Sequence, residues 1–189
     1  MTERTAAVLS EVFAPWLINI AFFLVLGGAT GAWPAAGAAA VGTGVVPMVL
    51  IITLMRAGKI GDHHVTAREQ RGGVLIGITL CVLVLLGVLM MLSTPLLIWA
   101  GVWAALIFLL VFGVVTVAGK IKASVHVGLW VCVTAYLGLA VAPWWFLALA
   151  LTPLIARARV VIQHHSWTEI LAGAASGAVV TAIVYWLLL

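Results

Sequence analysis

The stretch Arg159-Val-Val-Ile-Gln-His-His165-Ser-Trp-Thr-Glu169 sets an imidazole and a carboxylate four positions apart. In a helical stretch that spacing stacks them on one face. A carboxylate so placed holds one ring nitrogen and leaves the other free to act as base or nucleophile. Arg159, a turn or more upstream, supplies a planar and permanently charged group suited to an oxyanion such as phosphate. Two other polar windows carry comparable material. One holds Arg56, Lys59, Asp62, His63, His64, Arg68, Glu69 and Arg71, and the other Lys120, Lys122, Ser124 and His126. Cations, histidines, a hydroxyl and a carboxylate following a histidine suit the binding and cleavage of a phosphoester whose remaining part is lipid.

The elements that must position these residues follow from composition. The chain has 189 residues, 66% hydrophobic and 7% charged, which is too little polar material to surface a soluble domain. It reads as an all-α, polytopic transmembrane helical bundle of about six or seven spans, a single integral-membrane domain over residues 1–189. Residues 1–12 form an interfacial segment, and the first apolar run reads as a retained span rather than a signal peptide. Spans are expected near 13–28, 38–55, 73–92, 96–118, 127–142, 145–156 and 170–189, with loops 56–72, 119–126 and 157–169 at one end. Every Lys, Arg, Asp, Glu and His lies in those loops or the N-terminal segment, so the opposite end carries no ionisable side chain. By the positive-inside rule the charged end is cytoplasmic, and the expected location is a bacterial plasma membrane. The net charge of +4 belongs to span-flanking residues and implies no nucleic-acid partner. Cys81 and Cys132 fall in apolar runs and read as small buried side chains. Gly173 and Gly177 form a small-residue pair that lets the last helix pack closely.

Three separated polar loops at one membrane face make a pocket between helices. Their residues resemble the three blocks of the type 2 phosphatidic acid phosphatase superfamily of membrane lipid phosphatases. Arg159-x5-His165-x3-Glu169 matches the third block in spacing, with Ala158 for its Ser and Glu for its Asp. Ala123-Ser124-Val125-His126 matches the second at Ser and His, without its Pro and Gly. His64-x6-Arg71-Gly72 matches the first at Arg, with His for Lys and Gly for Pro. The resemblance spans roughly residues 60–178 and implies that family's helical core.

Its implied chemistry needs no metal and no cofactor. His165 would be the nucleophile that forms a phosphohistidine, Glu169 would orient it, and His126 would protonate the leaving alcohol and then activate water. Arg71, Arg159, Ser124 and His64 would bind the phosphoryl oxygens, with Lys122 or Arg68 supplying the charge of the missing Lys. The implied partners are a lipid-phosphate substrate, phosphatidate-type or isoprenyl, and the surrounding membrane lipids. Two other readings stay open. The pairs His63-His64 and His164-His165, with His126 and Asp62, are also a possible metal set. A non-catalytic lipid-phosphate binder or transporter on the same scaffold would keep the charges without using the nucleophile.

Overall fold

The computed structural model describes residues 1–189, which fold into helices with no strand. Helix α1 (Glu3–Val12) begins at the Thr2 cap and ends one turn before α2 (Pro15–Thr30), the two meeting at a 41° bend. Pro15 starts α2 where a missing N–H does no harm, and Gly31 ends it in the left-handed conformation at φ 71°. Then follow α3 (Trp33–Arg56), α4 (Arg68–Met90), α5 (Leu96–Ala118), α6 (Val125–Ala140), α7 (Pro143–Val161) and α8 (Trp167–Leu188). Helices α3 and α5 each contain a π turn, at Val41–Val45 and Val114–Ala118, and α7 opens with 3-10 geometry over Pro143–Leu151.

Five of these helices, α3, α4, α5, α7 and α8, are long and apolar enough to cross a membrane, and six spans result if the bent α1–α2 pair counts as one. Sequence reading expects about six or seven. The difference lies in α6, whose 16 residues rise about 24 Å, less than the ~30 Å hydrocarbon core. The large side chains that face outward are apolar, Val84, Met90, Met91, Leu147 and Trp186 among them. A soluble protein would not present such a surface; this is a membrane protein.

The expected loop boundaries shift because the helices reach into them. Helix α4 already contains Arg68 and Arg71, α6 contains His126, and α7 contains Arg157 and Arg159. Helix α1 packs along the last turns of α7, so the N-terminal segment is part of the bundle's polar end. Apolar residues of α2, α3, α4, α5, α6 and α8 make one continuous core, with Phe23, Leu26, Leu89, Ile98, Phe112 and Tyr136 fully enclosed.

The closest helix pair is α6 with α8, and glycines permit it. A Cβ at Gly173 would come within 2.5 Å of the Ser124 carbonyl oxygen, and one at Gly177 would overlap the Gly128 carbonyl. Gly128 reciprocates, since its own Cβ would lie 2.7 Å from the Gly173 carbonyl. The expected packing role of Gly173 and Gly177 is therefore met, and it brings the start of α6 against the start of α8.

Candidate active site

Each polar window contains one non-glycine residue in left-handed backbone conformation: Val65 at φ 49°, Lys120 at 55° and Gln163 at 56°. For a β-branched residue such as Val65 this geometry is strained, and it persists only where the surroundings over-determine it. Here they do. Asp62 accepts from the backbone N–H of His64 at 2.8 Å and from both the N–H and hydroxyl of Thr66. The Val65 carbonyl in turn accepts from Arg71 Nε at 2.9 Å. Asp62 thus ties the loop to itself and makes no ion pair with Arg68 or Lys59. Burial pulls its carboxyl pKa upward, but the Thr66 and His64 hydrogen bonds outweigh that and hold it low.

The three windows interlock. Arg71 Nη1 donates to the Ala123 carbonyl at 2.8 Å and Arg68 to the Lys120 carbonyl at 3.0 Å, joining the first window to the second. The Ser124 N–H donates to the Glu169 carbonyl at 3.0 Å, joining the second to the third. Gln163 turns the chain after α7 so that the N–H groups of His164 and His165 both donate to the Arg159 carbonyl, at 3.1 and 3.2 Å. That turn sets His165 beside the helix end that carries Arg159.

His165 is buried just before α8. Ser166 caps that helix in a reciprocal arrangement: its hydroxyl accepts from the Glu169 N–H while Glu169 Oε2 accepts from the Ser166 N–H. The same Oε2 lies 3.3 Å from His165 Nδ1, which also lies 3.0 Å from the Lys122 carbonyl oxygen. A carbonyl only accepts, so Nδ1 carries the proton, and in the neutral ring Nε2 keeps its lone pair. Burial and then the charges of Arg159, Arg71 and Lys122 hold the His165 pKa far below its ordinary value. The ring is neutral across the physiological range.

Arg71 and Arg159 are both buried, Arg159 to 1% exposure, and neither has a carboxylate within 4.0 Å. Arg159 Nη1 bonds the Ser10 hydroxyl of α1, while its Nε has no partner. Ser124 Oγ and His126 Nε2 are likewise buried and unpartnered. Buried polar atoms are rarely left so, and these three stand beside two guanidiniums that no carboxylate pairs.

A cavity of about 150 Å³ opens among these residues. His63, His64, Arg71, His126, Arg159 and His165 line its polar end. From there it runs into apolar territory lined by Met48, Ile51, Leu75, Ile78, Phe108 and Leu109. Three expected residues do not line it: Lys122, Ser124 and Glu169, the last of which reaches the site through His165 Nδ1. The Lys122 side chain does not line the cavity, and this residue contributes its carbonyl to His165. Ser124 is fully buried, one residue before Val125 and His126 of the lining. His64 departs from expectation in charge: burial first, then the Arg159 charge, lowers its pKa to about 4, so it does not supply a lysine's fixed positive charge at neutral pH.

Two residues at the site escaped sequence reading. Ser10 holds Arg159, and Glu11 meets His63 at 2.9 Å and His64 at 3.1 Å. His63, which the sequence places beside His64 in the first polar window, lines the cavity with it. The only sequence signal for the first two was a polar pair placed just before the first apolar run.

No family model, curated protein or solved structure matches the chain.

Proposed function

We propose that this membrane protein is a lipid-phosphate phosphohydrolase of the type 2 phosphatidic acid phosphatase kind, cleaving a phosphomonoester or diphosphate through a phosphohistidine. What carries the reading is His165: its Nδ1–H is committed to the Lys122 carbonyl and Glu169, and its ring lines a cavity shared with two unpaired guanidiniums. The apolar extension of that cavity suits a substrate that is anionic at one end and hydrocarbon at the other.

In this reading a phosphoryl group sits between Arg71 and Arg159, and the His165 Nε2 lone pair attacks phosphorus. The bond from phosphorus to the leaving oxygen breaks, and that oxygen takes a proton from His126. Burial and then the Arg159 charge hold the His126 pKa well below its ordinary value, so it enters this step as the imidazolium only with the bound phosphoryl anion beside it. Glu169 stabilises the positive charge gained by the His165 ring. His126 then accepts a proton from water as the water attacks phosphorus; the P–N bond breaks, its electrons return to Nε2, and inorganic phosphate leaves. No step requires a metal. A binder would have little use for a carboxylate-held imidazole beside a second, unpartnered one.

Phosphate release from a panel of lipid mono- and diphosphates in EDTA, beside a His165→Ala variant, tests the proposal. Release that persists in EDTA and falls by roughly 10³-fold or more in the variant supports it. No release from any lipid, with both proteins binding the lipids equally, leaves a binder or transporter instead.

A further inference from the structure

We infer that Glu11, His63 and His64 form a site for one divalent transition-metal ion of the Zn²⁺ class, set at the rim of the cavity. The donor atoms are already gathered. Glu11 Oε1 lies 2.9 Å from His63 Nε2 and 3.1 Å from His64 Nε2, and the ligand atoms all fall within 4.8 Å of one another. Metal bonds of about 2.0–2.1 Å at tetrahedral angles place adjacent donors roughly 3.3 Å apart, so a small spreading of the carboxylate and rings admits the ion. Two imidazoles and one carboxylate are a donor set that zinc takes with a fourth position left open.

The surroundings are built to hold this geometry. The ligands come from two places 52 residues apart, α1 and the first polar loop. That loop is fixed by Asp62, which accepts from the His64 backbone N–H, and by the strained turn at Val65. Outer bonds of this kind orient metal ligands. His164 stands edge-on to His64, with ring centroids 5.4 Å apart, and its Nδ1 is buried without a partner. The exposed side of Glu11 gives an ion its path in from solvent.

His63 and His64 line the cavity whose polar end also carries Arg71 and Arg159. An ion held there with one open position faces the place where an anionic headgroup would sit. A phosphate oxygen completing its coordination is the consequence, and that part alone rests on the lipid-phosphate reading. The ion then assists substrate binding and takes no part in transfer to His165.

The test uses full-length protein in detergent, stripped with chelator and titrated calorimetrically with Zn²⁺, with bound metal counted by mass spectrometry. One ion per chain is expected, with zinc absorption spectra showing N and O donors at about 2.0–2.1 Å. Glu11→Gln, which keeps the hydrogen bonding, and His63→Ala should each weaken binding by at least about 100-fold. Substoichiometric binding, or binding untouched by both substitutions, overturns the assignment whatever the protein catalyses. Chelation should also raise the KM for a lipid phosphate by about tenfold, one decade in affinity. Tight binding with no change in KM removes the headgroup contact. Absence of turnover with and without zinc defeats the phosphatase reading and leaves the metal result standing.

Discussion

Arg159 illustrates how a single residue at this site works against the fold that holds it. Its guanidinium is buried, bonded to one hydroxyl, and unpaired by any carboxylate. A buried charge so poorly met is a burden on stability unless an anion arrives. Arg159→Met should therefore keep or raise the thermal midpoint of the empty protein while lowering phosphate release by at least about 100-fold. A fall of many degrees in the midpoint would instead make Arg159 a structural residue. His165 gives a pH prediction of definite sign. Its folded pKa is depressed, so the folded protein excludes a proton that the unfolded chain takes up near pH ~6.5. The resulting stability is present above that pH and is lost progressively as pH falls below it. Thermal midpoints of wild type should drop between about pH 7 and 4, and those of His165→Asn should drop less. Equal slopes for the two proteins would place the titration elsewhere. At Glu169, substitution by Ala removes half of a capping pair and one partner of Nδ1 together. It should cost about 1 kcal/mol of stability and lower turnover more than the shape-preserving Gln does.

The crossing of α6 and α8 decides whether the second and third windows meet. Gly177→Ala drives a methyl into the Gly128 carbonyl, backbone that cannot step aside, and should destabilise by roughly 1–3 kcal/mol or more. Gly87→Ala, in α4 with open space around its Cα, should instead stabilise by roughly 0.5–1 kcal/mol. Melting both in the same detergent checks the contrast, and similar effects from the two would remove the close crossing from the account. Close packing of α8 was legible in the sequence because Gly173 and Gly177 repeat at helical spacing; that its partner is α6 was not. The link between His165 and Glu169 was legible too, for both lie on one local stretch. The break between α1 and α2 was half legible: Pro15 marks it, but the 41° bend depends on what α1 packs against. Spacing along the chain could not reveal Ser10 and Glu11, whose partners are 149 and 52 residues away. Nor could it foresee that Lys122 would serve through its carbonyl, since backbone groups have no signature in the sequence.

Across the whole molecule, the ionisable groups gather at one end and the other presents only apolar and small polar residues. This asymmetry gives a labelling prediction. Cysteines placed at Lys59 and at Trp33 should react with an impermeant reagent from opposite sides of a sealed vesicle, position 59 from the cytoplasmic side. Labelling of position 59 from outside reverses the orientation. The contact between Ser10 and Arg159 carries a consequence for the protein's birth. It joins the first helix of the chain to its penultimate one, and the residues that complete the pocket lie in its last fifth. For most of synthesis the Ser10 hydroxyl of the N-terminal helix has no Arg159 guanidinium to donate to it. On the proposed lipid-phosphate reading, a chain cut short before Arg159 lacks both that guanidinium and His165 and should release no phosphate.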